Sequence, residues 1–349
     1  MVSLKRSKEF PDARLLAIES SCDETAAAIV ENGRFIHANI VASQVDLHAE
    51  YGGVFPELAS RQHIQWIYPV VEAALQNAHL SLLDVDALAV TRGPGLAGSL
   101  VVGMNMAKGI SLASGLPIIG INHLEGHIYS SWLYEDPANA PASSPKFPLL
   151  ALIVSGGHTE LILIEDHLIY KRLGKTLDDA AGEAFDKVAR LLSLPYPGGP
   201  SIQKAAASGD PGKFNFPRAK LEGTWNFSFS GIKTAVLREI KKFEQKEEEY
   251  SVEDMAASFQ FAVVDILVEK TIAAAKEYRA KQILIAGGVS ANQLLRDTMM
   301  SRSSITVNIP PLNYCTDNAA MVGAAGYFRF IKGYKDTLDM DVFPNWPLV

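Results

Sequence analysis

Apolar residues fall along this chain in one pattern that occurs twice. An unbroken apolar run over 149–154 stops at Ser155-Gly156-Gly157-His158-Thr159 and resumes up to Glu165. Two runs of this length around small residues predict two buried strands joined by a tight loop. Consecutive glycines there leave backbone N–H groups open to an anionic ligand, although an ordinary hairpin turn would read the same way. The first pass of the pattern begins at Leu15: a strand to Glu19, a polar loop Ser20-Ser21-Cys22-Asp23-Glu24-Thr25, and a strand over 26–30. Asn32-Gly33 then supplies a strong hairpin signal before a third strand over 35–42. At an offset of 134, Leu15-Leu16-Ala17 falls on Leu149-Leu150-Ala151, Ser21 on Ser155, Thr25 on Thr159 and Glu31 on Glu165. The repeat predicts a duplicated α/β domain, with two similar halves presenting two loops to one cleft.

Between and after these runs the period changes to that of helices. Residues 56–78 carry helically spaced apolar positions, with Pro69 implying a kink or boundary and His63 read as a helix-surface histidine. A strand over 87–90 ends at Arg92-Gly93-Pro94-Gly95, followed by a small-residue helix to 114 and a strand over 117–121. The stretch 135–148, with four prolines, reads as a linker. It divides an N-terminal extension (1–14) and a first domain (15–134) from a second domain (149–349) with a helical insertion. In the second half, helices are predicted over 177–192, with Asp178 and Asp179 in the first turn, and over 231–250, 255–279 and 316–331. Strands are predicted over 282–286 and 305–309.

Composition narrows the function. At 349 residues the chain is long enough for two cores. Its net charge of −7 (32 basic, 39 acidic) argues against gripping nucleic acid by overall charge. Lys171-Arg172-Lys175 and Arg238-Lys241-Lys242 are local basic clusters that serve equally as solvated surface. Two cysteines, Cys22 and Cys315, give no disulfide framework and suit a reducing compartment. The charged start lacks an apolar core of signal-peptide length, and the best membrane candidate, 96–121, is interrupted by Asn105, Lys108 and Pro117. The expectation is a soluble, cytoplasmic protein.

Three stretches carry chemistry. His123 and His127 stand at i and i+4, a spacing that puts both on one face of a helix and lets them share a metal. A zinc protease needs its general-base glutamate beside a histidine, and Glu125 is two residues from each, pointing away. A third ligand must come from elsewhere. Asp317 in Asn313–Asn318 is favoured, with Cys315 as a soft alternative, and Thr316 or Asp317 also reads as the cap of the last helix. Asp23 and Glu24 are a metal, phosphate-activating or general-base pair, or simply turn acids. Ala286-Gly287-Gly288-Val289-Ser290-Ala291-Asn292 joins a strand to a helix N-terminus as nucleotide sites do, but neither G-x-G-x-x-G nor a P-loop is present. Glycine-rich loops after strands in two similar halves describe instead a nucleotide held as in the actin, sugar-kinase and heat-shock ATPase (ASKHA) superfamily.

Taken together, the motifs resemble the tRNA threonylcarbamoyladenosine transferase family, the bacterial TsaD proteins, formerly called O-sialoglycoprotein endopeptidases. The resemblance runs from about Leu15 to Val349. It rests on ESSCDET at Glu19, HAEYGGVFPELASRQH at His48, RGPGLAGSL at Arg92, NHLEGH at Asn122, VSGGHTEL at Val154, DDAAGEAFDKVARLL at Asp178, YPGGP at Tyr196, FSFSGIKTA at Phe227, AGGVSAN at Ala286 and CTDNAAM at Cys315. Ser20 replaces the usual threonine of the first loop, and residues 1–14 have no family counterpart. The resemblance implies an acyltransferase that moves the threonylcarbamoyl group of L-threonylcarbamoyladenylate to N6 of adenosine 37 in tRNAs reading ANN codons, releasing AMP. It implies a divalent metal, iron(II) or zinc, on His123, His127 and Asp317, and an adenylate or ATP-type ligand at Ile153, Val154, Ser155, Gly156, Gly157, Asp186, Gly199 and Asn292. Asp23 and Glu24 match an acidic pair linked to activity. Expected partners are tRNA, a TsaB-like paralogue and a TsaE-like ATPase, with no membrane. The competing readings are a metalloprotease, an O-carbamoyltransferase or small-molecule kinase on the same fold, and a nucleotide-binding partner protein without activity.

Overall fold

A computed structural model describes residues 12–140, 145–219 and 221–349. Most of the expected N-terminal extension, and residues 141–144 of the expected linker, lie outside them. The chain opens with β1 (Arg14–Glu19), β2 (Glu24–Glu31), β3 (Phe35–Ser43), α1 (Val45–Ala49) and α2 (Pro56–Ala78). It continues through β4 (Ala87–Gly93), α3 (Ala97–Ser114), β5 (Ile118–Asn122) and α4 (His123–Tyr129). The second series is β6 (Leu149–Val154), β7 (Thr159–Asp166), β8 (Ile169–Lys175), α5 (Ala181–Leu191), α6 (Gly198–Ala206), α7 (Ser230–Lys246) and α8 (Val252–Glu277). It closes with β9 (Gln282–Ala286), α9 (Gln293–Arg302), β10 (Thr306–Asn308) and α10 (Ala319–Ile331).

The two sheets share one topology. The first runs β3-β2-β1-β4-β5 and the second β8-β7-β6-β9-β10. In each, the first strand pairs antiparallel with the next and parallel with the fourth. Leu15 faces Val30 and Leu149 faces Ile164, so the offset of 134 carries one hydrogen-bond register onto the other. Sparse identity therefore marked a real duplication. The central strands β1 and β6 are apolar almost throughout because helices cover both sheets and leave them no solvated side.

The chain divides into two compact units, and the division is not the contiguous one expected. One comprises Met1–Gln44, Phe55–Ala142 and Asp317–Leu348; the other comprises Val45–Val54, Ser143–Thr316 and Val349. Helix α10 is thus no part of the second domain 149–349. It packs on β1, β2, β4 and β5 of the first sheet. Its small residues permit this: a Cβ on Gly323 would lie 2.8 Å from Val30 Cγ2, and one on Gly326 2.6 Å from Ala89 Cβ. Helices α2 and α3 pack into the other apolar cluster of that unit, around Leu16, Ile18, Val70, Leu88 and Met104. In the second unit α5, α7 and α8 bury Phe185, Phe227, Phe229 and Phe259 with Leu150 and Leu152.

Local expectations shift at three places. Helix α2 runs through Pro69 as one element. His63 is fully buried rather than on the helix surface, with Nδ1 2.7 Å from Thr25 Oγ1 and Nε2 3.0 Å from the Cys22 carbonyl oxygen. Helix α5 starts at Ala181, so Asp178 and Asp179 precede it. Asp178 accepts from the Ser228 hydroxyl and Phe229 N–H at the start of α7, and Asp179 pairs with Lys187. No helix among the described residues is long and apolar enough to cross a membrane.

Candidate metal centre

Strand β5 ends at Asn122, whose side chain turns the chain into α4. Its carbonyl oxygen accepts from Leu124 N–H at 3.0 Å, and its amide donates to the Trp346 carbonyl oxygen at 3.2 Å. His123 and His127 then stand one turn apart, with ring centroids 4.7 Å from each other. Glu125 points elsewhere: it is buried and accepts from Arg329 Nε at 2.7 Å.

Helix α10 brings the third group. Its cap is Asn318, which accepts from Met321 N–H at 3.0 Å, and not Thr316 or Asp317. With the capping task one residue later, the Asp317 carboxylate is directed at the histidines. Its Oδ1 lies 3.1 Å from His127 Nε2 and 3.4 Å from His123 Nε2, and the three ligand atoms are within 4.8 Å of one another. Among the described residues, neither ring nitrogen of buried His127 has a hydrogen-bond partner, the 3.1 Å approach to Asp317 being an ion-pair contact. A buried imidazole that makes no hydrogen bond is costly unless something else binds it. Tetrahedral bonds of about 2.1 Å require donors about 3.4 Å apart. The two nitrogens and one oxygen fit a divalent metal.

The charges around the triad reinforce one another. Burial pushes the Asp317 carboxyl up, but His123 and His127 outweigh it and hold it well below the usual carboxylate range. Burial lowers His123, but Asp317 and Glu19 outweigh it and raise it well above an ordinary histidine. Burial, then Asp23 and Asp317, push Glu24 well up, and the same causes raise the Cys22 thiol. The structure therefore brings Glu24 and Cys22 within the electrostatic reach of Asp317. Glu24 also accepts from the Ser43 hydroxyl at 3.1 Å. Glu19 and Ser21, which motif spacing did not single out, reach His123 Nδ1 at 3.0 and 3.1 Å.

The expected ligand-binding residues of the second unit also gather. The Ser155 loop closes on itself through Ser155 N–H to the His158 carbonyl oxygen at 2.8 Å. Gly156 and Gly157 face open space, so their lack of side chains leaves the loop accessible. Ile153 and Val154 are buried within β6. Gly182, missed in the sequence, donates to the Ser155 carbonyl oxygen at 3.1 Å, which places the N-terminus of α5 against the loop. One turn on, Asp186 accepts from Gly198 N–H at 2.7 Å and lines a cavity of about 260 Å³ with Arg190, Tyr196 and Gly198. Burial raises the Asp186 carboxyl. Gly199 is open, as a contact surface requires. Gly287 backs onto Val154 and Ser155, so the turn leading to Asn292 joins the same patch. Asn292 itself caps α9, accepting from Leu295 N–H at 3.0 Å and donating to Gln260 at 2.8 Å.

Two like-wound α/β units with glycine-rich loops after their strands define the actin and sugar-kinase class. Solved structures agree on the fold: full-length HypF superposes with a TM-score of 0.62 at 14% identity, over 93% of this chain and 47% of that one. The (R)-2-hydroxyglutaryl-CoA dehydratase component A of Acidaminococcus fermentans gives 0.52 at 15% identity, over 92% and 99%. Within that class the family model for TsaD, tRNA N6-adenosine threonylcarbamoyltransferase, matches residues 35–324, and the chain belongs to this family. Proteins of that name from Dehalococcoides mccartyi strain CBDB1 and Bacillus subtilis strain 168 are 54% and 51% identical to it. They cover 95% and 97% of this chain, which in turn covers 98% and 97% of them.

Proposed function

We propose that this chain transfers the threonylcarbamoyl group of L-threonylcarbamoyladenylate to N6 of adenosine 37 in tRNAs reading ANN codons. The observation that carries the reading is the His123–His127–Asp317 triad in a chain that belongs to the threonylcarbamoyltransferase family. In the reaction, N6 attacks the carbamoyl carbon, the bond from that carbon to the phosphate oxygen breaks, AMP leaves, and N6 gives up one proton. The amine is a weak nucleophile because its lone pair is delocalised into the ring, so the rate depends on positioning and on charge stabilisation.

Each group of residues has a task in this scheme. Backbone N–H groups of Gly156 and Gly157, in the loop that begins at Ser155, face the donor's oxyanion charge, with Ile153 and Val154 as the loop's rigid base. Asp186, Gly199 and Asn292 hold the adenylate. The acidic pair Asp23 and Glu24 takes up the single N6 proton as general base. His123, His127 and Asp317 hold one divalent metal, iron(II) or zinc, which supplies Lewis-acid charge to phosphate and carboxylate oxygens when bound. Glu125 is tied up by Arg329, so the histidine pair lacks a protease's general base, which favours transfer over peptide hydrolysis. A TsaB-like paralogue and a TsaE-like ATPase are the proposed protein partners, and the net charge of −7 suits tRNA binding shared with them in the cytoplasm.

Purified chain, partners, tRNA and preformed L-threonylcarbamoyladenylate should yield threonylcarbamoyladenosine in digested tRNA, and chelator should abolish it. ATP-dependent transfer to a sugar or acid, with tRNA left unmodified, would replace this reading with the kinase or O-carbamoyltransferase one.

A further inference from the structure

We infer that Glu19 is a positioning residue for the metal centre: it fixes the proton of His123 on Nδ1 and so reserves Nε2 for the metal. Glu19 is the last residue of β1 and is fully buried. Each of its oxygens is engaged. Oε1 accepts from Ser21 N–H at 2.5 Å; Oε2 accepts from the Thr91 hydroxyl at 2.7 Å and lies 3.0 Å from His123 Nδ1. A protein N–H and a hydroxyl both donate into this carboxyl group, which suits the acceptor-only carboxylate. The 3.0 Å link is then an Nδ1–H donating to Oε2. Ser21 Oγ lies 3.1 Å from the same nitrogen and can accept from it as well. With Nδ1 protonated, the Nε2 lone pair is directed toward Asp317 Oδ1, 3.4 Å away, where His127 Nε2 also converges. His123 thus has the arrangement in which an outer carboxylate orients a ligating imidazole and raises its basicity.

Charge gives a second reason for Glu19 to be there. Two neutral imidazoles and one carboxylate leave a divalent ion with one uncompensated positive charge in a largely buried place. An uncompensated buried charge is costly. Glu19 supplies the missing negative charge without taking a coordination position. Thr91, on the neighbouring strand β4, holds it in place, so the outer shell is built from the ends of β1 and β4 rather than from the α4 helix that bears the histidines.

This inference rests on the metal reading of the triad, and the experiment separates the two. Zinc affinity is measured by competition with a chromophoric chelator for wild type, Glu19→Gln and His127→Ala. Glutamine keeps the shape but replaces one acceptor oxygen with a donor. Glu19→Gln should bind zinc 10- to 100-fold more weakly, with the melting temperature of the metal-free protein near that of wild type. In the zinc-loaded wild type, ¹⁵N-resolved imidazole spectra should show His123 carrying a slowly exchanging proton on Nδ1. That readout needs no variant and stands if Glu19→Gln does not fold. A zinc affinity within threefold of wild type in folded Glu19→Gln, or His123 bound through Nδ1, overturns the role of Glu19 while leaving the metal site intact. Failure of wild type to bind zinc any better than His127→Ala would overturn both.

Discussion

Substituting Gly326 by alanine tests whether α10 is held against the first sheet as closely as the geometry requires. The added Cβ would lie 2.6 Å from Ala89 Cβ and 3.1 Å from Leu15 Cδ2. Two methyl carbons prefer about 3.5–4.0 Å, so the helix must retreat by about 1 Å. Ala89 cannot yield, because β4 is hydrogen-bonded to β1 on one side and β5 on the other. Overpacking of this kind costs about 1–3 kcal/mol, against a helix-propensity gain of about 0.8–1 kcal/mol for alanine over glycine. A net loss of up to about 2 kcal/mol is expected. Gly109, inside α3, is the matched control: its Cβ would meet nothing within 4 Å, so Gly109→Ala should gain up to about 1 kcal/mol from the same chemical change. Urea unfolding of the two variants should move their midpoints in opposite directions. Because Asp317 lies just before the first turn of α10, Gly326→Ala should also weaken metal binding, whereas Gly109→Ala should not. Equal stabilisation by both substitutions would refute the close packing and, with it, the reason Asp317 is held opposite the histidines.

Three further outcomes follow from individual groups. Chelation should lower the unfolding midpoint of wild type, by about 2.7 kcal/mol at metal a hundredfold above its dissociation constant, and leave His127→Ala unmoved; calorimetry checks both. Asn122→Ala removes the cap of α4 and its bond to Trp346, so it should cost about 1 kcal/mol and reduce metal affinity, read by denaturation and chelator competition. Burial would raise the Asp265 carboxyl, but Arg302 at 2.6 Å and Arg218 at 2.7 Å outweigh it and hold it low. Its stabilisation, about 1 kcal/mol or less for a solvent-screened pair, is present above pH of about 3.9 and lost as pH falls through the lower folded value. Asp265→Asn should therefore be less stable than wild type near neutrality and converge with it in acid.

Much of this molecule is legible from local pattern. Strands such as β6 and β9 are apolar runs that stop at small residues, Ser155-Gly156-Gly157 and Gly287-Gly288, and those ends follow from composition alone. The i, i+4 histidines came with their helix, and the misplacement of Glu125 from protease spacing anticipates its pairing with Arg329. What escaped is long-range. Nothing between Thr316 and Ile331 announces that the last helix packs on the first sheet; only Gly323 and Gly326 hint at a close approach, without saying to what. The cap of α10 falls one residue later than expected because Asn318 competes with Thr316 and Asp317 at adjacent positions, and tertiary pull on Asp317 decides among them. Asp178 and Asp179 suited the dipole of α5, yet Asp178 serves α7, about 50 residues away. Glu19 looked like the polar end of a strand, and its meaning depends on Thr91 and His123, which meet it only in the fold.

The most direct measurement is single-turnover transfer from preformed L-threonylcarbamoyladenylate to tRNA, read as the mass of the modified adenosine after digestion. Wild type should give N6-threonylcarbamoyladenosine at position 37 in step with AMP release. His123→Ala, Asp317→Ala and chelated protein should give none, and added metal should restore only the last. Full-rate transfer by the metal-free protein, or AMP release with no modified nucleoside, would contradict the assignment.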